Sequence, residues 1–456
     1  YQELLVINTL PYDRDLIVEE PIRRGGQAPN GMLEMFMPRG LTWGIKPDAE
    51  GRRVQGRVSG FGYAFLPLNQ APNGGDLRAY GQTIENEHYR ITIDPRSGGL
   101  SEFFDKRQQH DFAGQYRGWQ LGQYVYEWVD SPEGRDAIFR TDWANEYFGE
   151  GVKDTPFRQE APFEVIIGDP VITAYEAKID VTIKARGIRQ AACTYVLPSG
   201  GKSLEINWLM TKEHVTDPEA VFIAFPFRLG TPSFRADING IALTPEEEQL
   251  DGTVKDWYPL NRWVNVSDGT RGVTLVPLDA PLVHLGGITT GKWAEKLEPE
   301  SPTIMSWALN NHWMVNFKAS QGGQIPLRYK LTTHQGEASD SACMRFGAEA
   351  VTRPIVLRDL VRQPAAASKG TFMTVDNVEP FLITAKPADD GKGIIVRIQN
   401  VELGDRVCSI SFPELHPISA NRVSPIEDDL AALAINNKTV SVHVPARAVQ
   451  SIRVQF

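Results

Sequence analysis

The chain has 456 residues, more than one ordinary domain holds, and 41% hydrophobic with 23% charged residues fit a globular protein with a sizeable core. Its 57 acidic against 47 basic residues give a net charge of −10, which argues against nucleic-acid and anionic-membrane partners, since both need a basic surface. No run of about 18 apolar residues occurs, so no helical membrane span is expected. Three cysteines, Cys193, Cys343 and Cys408, cannot build a disulfide framework, and their odd number points to a reducing, cytoplasmic setting. The chain opens on Tyr1 with no basic and apolar leader pattern, as a mature product or a fragment would.

Taken in chain order, the dominant hydrophobic period is two. Leu4–Asn8, Leu16–Glu20 and Tyr63–Leu68 read as strands, and the polar stretch Asn69–Gly75 marks a boundary. Ala177, Ile179, Val181, Ile183 and Ala185 alternate with polar partners, a half-buried strand, and Leu204, Ile206, Trp208 and Met210 repeat the pattern. Ala220–Phe227 is apolar on both parities and predicts a strand covered on both faces. Pro364–Gly370, rich in small residues, reads as a linker. Pro425–Ala434, with Glu427, Asp428 and Asp429 where a helix start tolerates acids, predicts a short helix; no long amphipathic helix stands out. Val440, Val442 and Val444, then Ile452, Val454 and Phe456, close the chain with two more alternating strands. The fold class is all-β, in three segments: 1–84, 85–363 and 371–456.

The chemistry-bearing motifs are mostly absent. The eight histidines lie no closer than about twenty residues apart, without H-x-H, H-x-D or H-E-x-x-H, so this chain is expected to build no metal site of its own. Gly286–Lys292 imitates a phosphate loop, but Trp293 stands where Ser or Thr must reach magnesium, and Pro198–Ser203 lacks the first glycine; both read as hairpin turns. No G-x-S-x-G elbow is present, and the cysteines read as small buried hydrophobes.

Aromatic placement is the positive signal. Trp257, Trp263, Trp293, Trp307 and Trp313 crowd one eighth of the chain, and Trp119, Trp128 and Trp143 form a second group with Tyr124 and Tyr126. Asp256–Asn265 (D-W-Y-P-L-N-R-W-V-N) and Leu309–Phe317 (L-N-N-H-W-M-V-N-F) interleave indoles with amides, an arginine and a histidine. Indole faces stack on sugar C–H faces while such polar groups bond hydroxyls, so the set fits carbohydrate contact; filling a large sandwich core is the competing reading.

At these stretches the sequence resembles the C-terminal β region of glycoside hydrolase family 38, the α-mannosidases, particularly its bacterial branch. Val6–Arg14, Ile84–Lys106, Gln123–Glu127, Ala224–Phe227, Asp256–Val266, Gly286–Gly287, Asn310–Gly323 and Ile394–Asn400 follow that family's order across nearly the whole chain. The resemblance implies a central supersandwich like that of galactose mutarotase over 85–363. Small β-sandwich domains at 1–84 and 371–456 would flank it. It further implies that Tyr89, Ile91 and Ile93 face the core and that Gly98–Gly99 make a hairpin turn.

The zinc, the nucleophile and the acid/base carboxylate would lie in an N-terminal catalytic barrel outside this chain, leaving none of the catalytic residues and no cofactor here. The chain would pack against its own catalytic domain and help line a pocket for an α-mannoside. By motif position the rim candidates are Tyr126, Arg262, Asn310, Asn311, His312, Trp313 and Asn316, joined by Trp257 and Trp263. A retaining mechanism is implied for the complete enzyme. Two alternatives stay open: a free-standing carbohydrate-binding or scaffold protein, and a sugar epimerase or lyase using a His and a carboxylate. Homo-oligomerisation is left open too.

Overall fold

In the computed structural model the described residues are 3–21, 52–68, 75–129, 157–290, 294–312, 318–358, 362–363 and 365–456. Their contacts divide the chain into two compact units. One comprises residues 74–351 with 401–403; the other comprises 1–73, 352–400 and 404–456.

The larger unit is built from antiparallel sheets sharing one core. A ten-stranded sheet runs through Glu176–Lys184, Ile188–Pro198, Leu204–Lys212, Gly323–Gln335, Arg271–Pro277 and Val264–Ser267, among others. A six-stranded sheet has the order Phe157–Glu160, Gln123–Val129, Glu219–Pro226, Thr303–Asn310, Leu282–Leu285 and Tyr258–Pro259. A five-stranded sheet, Arg78–Tyr80 to His110–Asp111, joins the same core.

Alternation explains the ten-stranded sheet: Ala177, Ile179, Val181 and Ile183 are buried in the core while Lys178, Asp180, Thr182 and Lys184 face away. Tyr89, Ile91 and Ile93 are buried as expected, and the strands Tyr89–Ile93 and Leu100–Asp105 pair across a turn where Gly98 takes φ +72°. In the six-stranded sheet all eight residues of Glu219–Pro226 are buried. Val221, Ile223 and Phe225 enter the main core, whereas Phe222 and Ala224 join a second cluster on the outer face with Val125, Met305, Trp307 and Trp119. The all-β supersandwich is thus present, with two packed layers and a third, aromatic one over the smaller sheet.

Pro198–Ser203 is a hairpin turn between two paired strands, as read from the sequence. The Gly286–Lys292 turn falls partly outside the described residues, as do Trp293 and most of Asn69–Gly75.

The smaller unit holds a four-stranded sheet ordered Ile355–Leu357, Glu3–Asn8, Gly62–Pro67 and Lys369–Thr371, and a pair formed by Arg14–Glu19 and Arg53–Val58. It also holds a sandwich of a four-stranded and a five-stranded sheet over residues 374–455, closed on Phe381, Val396, Ile410, Phe412, Val442 and Ile452. The end of the expected linker, Lys369–Gly370, is itself a strand paired with Tyr63–Ala64.

Two helix expectations need correction. Pro425–Ala434 is no helix: Ser424 Oγ accepts the Asp428 and Ile426 amides, Glu427 turns the chain at φ +73°, and Asp429–Ala432 pairs as a strand with Asn421–Val423. Ser424 competes for the backbone amides that a helix start would leave free. Conversely, Asp340–Val351 is a twelve-residue helix. Its start is capped by Ser339 Oγ on the Ala342 amide at 3.2 Å. The buried face consists of Cys343, Met344, Gly347 and Ala348, with Met344 its only large apolar side chain, so no broad amphipathic stripe registers.

At Gly347 a Cβ would come 2.9 Å from Trp263 Cδ1 and 3.1 Å from Arg262 Cβ. Gly347→Leu is therefore expected to lower stability by about 1–3 kcal/mol, read by urea unfolding, despite the better helix former.

Candidate functional site

The stretch Asp256–Val266 passes from one sheet to the other, and this decides where its aromatic residues end up. Tyr258 pairs with Val283 in the six-stranded sheet, whereas Val264 pairs with Leu275 and Ala236 in the ten-stranded one. Trp257, half-buried, packs on Trp307 with ring centroids 5.6 Å apart. Trp263 is fully buried, with Gly347 of the helix against its ring. Arg262 extends Nη1 to 3.6 Å from Asp237 Oδ2. Burial pushes the Asp237 carboxyl up to about 6, and the neighbouring Arg262 guanidinium opposes that shift.

Tyr126 lies on Gln123–Val129, whose even residues face the sandwich interior. Its hydroxyl donates to Glu219 Oε2 at 2.5 Å, and Glu219 Oε1 pairs with Lys212 Nζ at 2.6 Å. The Lys212 and Glu219 side chains are only 1% and 6% exposed. Burial, then the hydrogen bond to Glu219, raises the Tyr126 phenol far above its ordinary range. Gly187 lies against that ring at φ +77°, where a Cβ would sit 2.2 Å from Tyr126 Cε2.

Asn311 closes the same end. Its Oδ1 accepts the Glu219 amide at 2.6 Å, and its Nδ2 donates to the carbonyls of Val215, Asp217 and Ala319 at 3.1, 2.9 and 3.2 Å. An amide so fully engaged ties three chain segments together.

The odd residues of Gln123–Val129 point outward, and there the structure collects a different set. Glu127, with no exposed surface, accepts Gln159 Nε2 on Oε2 at 2.7 Å, and its Oε1 has no hydrogen-bond partner among the described residues. His312 Nε2 stands 3.8 Å from that Oε1, beyond hydrogen-bond reach, and neither imidazole nitrogen has a partner among the described residues. Trp307, whose indole nitrogen is also unpartnered, lies 5.9 Å from the imidazole ring and stacks on Phe222. Phe157 meets His312 edge-on at 5.5 Å. A buried polar atom left without a partner costs about 1–3 kcal/mol, and the described residues leave four of them on these three side chains, which makes this outer face the candidate site.

Of the sequence candidates, then, Trp257 and His312 share this outer face. Asn310 is half-buried at the end of its strand, Tyr126 and Asn311 belong to the Lys212–Glu219 network, and Arg262 and Trp263 lie by the helix. Trp313 and Asn316 lie outside the described residues. Glu127 and Trp307 were not singled out as site residues. The available signal for Glu127 was one carboxylate at a buried parity inside Q-Y-V-Y-E-W-V.

Among the described residues no group of three or more His, Cys, Asp or Glu is placed to hold a metal ion. Glu127 and His312 are a pair only, so the described residues do not fit a zinc site. Elsewhere, an open cleft of about 450 Å³ lined by Ser101, Gln115, Gln120 and Arg228 contains none of the candidates. No helix among the described residues is long and apolar enough to cross a membrane.

Comparison with known proteins follows the same lines. Residues 84–280 match the model of the Glycosyl hydrolases family 38 C-terminal domain. No curated protein matches the sequence. An α-mannosidase from Enterococcus faecalis V583 overlays 99% of this chain on 56% of its own, at 13% identity and a TM-score of 0.66. A protein in glycosyl hydrolase family 38 from Enterococcus faecalis gives the same identity and TM-score, with 99% and 58% covered. The chain therefore spans little more than half the length of these structures. A galactose 1-epimerase from Lactobacillus acidophilus NCFM covers 57% of this chain and 99% of its own at 9% identity, with a TM-score of 0.34, too low to carry an argument. The resemblance to the C-terminal β region of family 38 holds, and the overlay at 13% identity adds the fold.

Two outcomes follow from these networks. Lys212→Met leaves the buried Glu219 carboxylate without its counter-charge and is expected to cost about 3–5 kcal/mol in urea unfolding. Asp237, with its folded pKa above the roughly 3.9 of an unfolded aspartate, lends stability that is full below about pH 4 and lost as pH rises through about 6. Thermal melts across that window should show a decline that Asp237→Asn removes.

Proposed function

We propose that this chain, which carries the glycosyl hydrolase family 38 C-terminal domain over residues 84–280, is the non-catalytic β region of an α-mannosidase. The observation that carries this reading is the overlay of 99% of the chain on 56% of an α-mannosidase. Bond cleavage would then belong to an N-terminal catalytic domain outside these residues. That domain would also supply the zinc, for which the described residues offer no ligand set.

In this reading the complete enzyme hydrolyses α-mannosides with retention, through a covalent glycosyl intermediate on a carboxylate of that domain. The work of this chain is positional. Its rigid sheets hold side chains against the substrate and keep water out, so that the reacting groups meet in one geometry. The wall facing the substrate is drawn from the outer side of the six-stranded sheet, where Trp257 and His312 lie. The division into parts 1–84, 85–363 and 371–456 is carried into this proposal, with the first and last as flanking sandwiches. A cytoplasmic setting is supported by three buried, unpaired thiols.

The test is direct. The purified 456-residue chain, supplied with zinc and p-nitrophenyl α-D-mannopyranoside, is expected to release no nitrophenol. Co-expression with the segment encoded immediately upstream should yield zinc-dependent turnover. Zinc-dependent hydrolysis by the chain alone would overturn the proposal.

A further inference from the structure

The cluster on the outer face of the six-stranded sheet has a more specific use than a smooth wall needs. Glu127 is held from one side, since Gln159 occupies Oε2 at 2.7 Å, which leaves Oε1 directed at His312 Nε2 across 3.8 Å. Among the described residues both His312 nitrogens and the Trp307 indole nitrogen are unpartnered, and both residues are nine-tenths or more buried. Phe157 and Trp307 fix the imidazole plane from two directions. A pair so restrained loses little freedom when a ligand arrives.

We propose that Glu127 and His312 form a subsite that grips a single hydroxyl of a neutral saccharide, with Trp307 beside it and Trp257 as the aromatic surface at its mouth. The assignment rests on the reading of this chain as the wall of a mannoside pocket. A hydroxyl has one proton to give and lone pairs to receive, so it can donate to Glu127 Oε1 and accept an imidazole N–H from His312. One oxygen placed about 2.8 Å from each group spans a 3.8 Å gap without moving either. Water alone could also bridge the two atoms, but half-buried Trp257, packed on Trp307, supplies what water does not use, an apolar face for the C–H side of a sugar ring. Phe157 and Gln159, which touch His312 and Glu127, are half-buried, and so is Trp257 beyond Trp307. The same carboxylate sets the specificity, because it repels a phosphate or carboxylate on the incoming sugar while welcoming a hydroxyl.

The experiment uses the intact 456-residue chain and reads binding, not hydrolysis. Methyl α-D-mannopyranoside and mannose 6-phosphate are titrated by calorimetry into the wild type, Glu127→Gln and His312→Asn. The neutral sugar is expected to bind the wild type, and each variant to weaken it at least tenfold; the phosphorylated sugar should bind the wild type more weakly. Glu127→Gln can keep an oxygen facing Gln159, and an unchanged melting temperature checks that the fold is retained. Should a variant fail to fold, the wild type alone suffices, since titration must shift the His312 ring resonances. Equal affinity in wild type and variants, absence of mannoside binding, or an undisturbed His312 signal (a buried water only) would overturn the subsite. None of these results touches the wall reading, which stands or falls on whether the chain hydrolyses mannoside with zinc.

Discussion

One constraint organises the larger unit: the six-stranded sheet has a central strand buried on both faces. Its strand Glu219–Pro226 exposes none of its eight residues appreciably, because the ten-stranded sheet covers one side and a layer containing Tyr116, Trp119, Ile288 and Trp257 covers the other. A strand buried on both sides can admit a charge only where a partner neutralises it or a ligand does. Both arrangements occur on adjacent residues of the neighbouring strand. Tyr126 turns inward to the closed Lys212–Glu219 network, and Glu127 turns outward to the open pairing with His312.

That contrast separates architecture from chemistry. The Lys212–Glu219–Tyr126–Asn311 network satisfies its members with each other and with backbone carbonyls, which is what a structural element looks like inside a low-dielectric core. The outer cluster is only partly satisfied. Natural proteins keep few such groups, and those they keep cluster where something else must bind or react. The pairwise strand geometry explains how two opposite behaviours can be one residue apart: successive side chains leave a strand on opposite faces.

Much of the architecture was legible in the sequence, because period-two alternation is a direct consequence of one-sided burial. Ala177–Ile183, Leu204–Met210 and Val440–Val444 all take the faces their pattern assigns. The apolar run at Ala220–Phe227 likewise identified the doubly covered strand. The helix Asp340–Val351 escaped because its buried face is Cys343, Met344, Gly347 and Ala348, where only Met344 is a large apolar side chain. The site was less legible still. Trp257 and Trp263 are six residues apart and look like one aromatic motif, yet the intervening segment changes sheets and sends them to different neighbours. Glu127 looked like any carboxylate until its surroundings were known, since burial, and not residue type, makes it unusual.

The strand pairing of the smaller unit bears on biosynthesis. Leu5 is bonded across to Leu357, and Ala64 to Lys369, so these strands are synthesised long before the partners that complete their sheet. At ordinary elongation rates they would wait on the order of 20–70 s with open edges. The larger unit, whose pairings lie between residues 78 and 335, can close in the meantime. Translation order and folding order are therefore reversed between these strands and the larger unit. A chaperone that shields nascent segments would find its most durable client in residues 3–67, and point changes there should depress the yield of assembled protein more than its final stability.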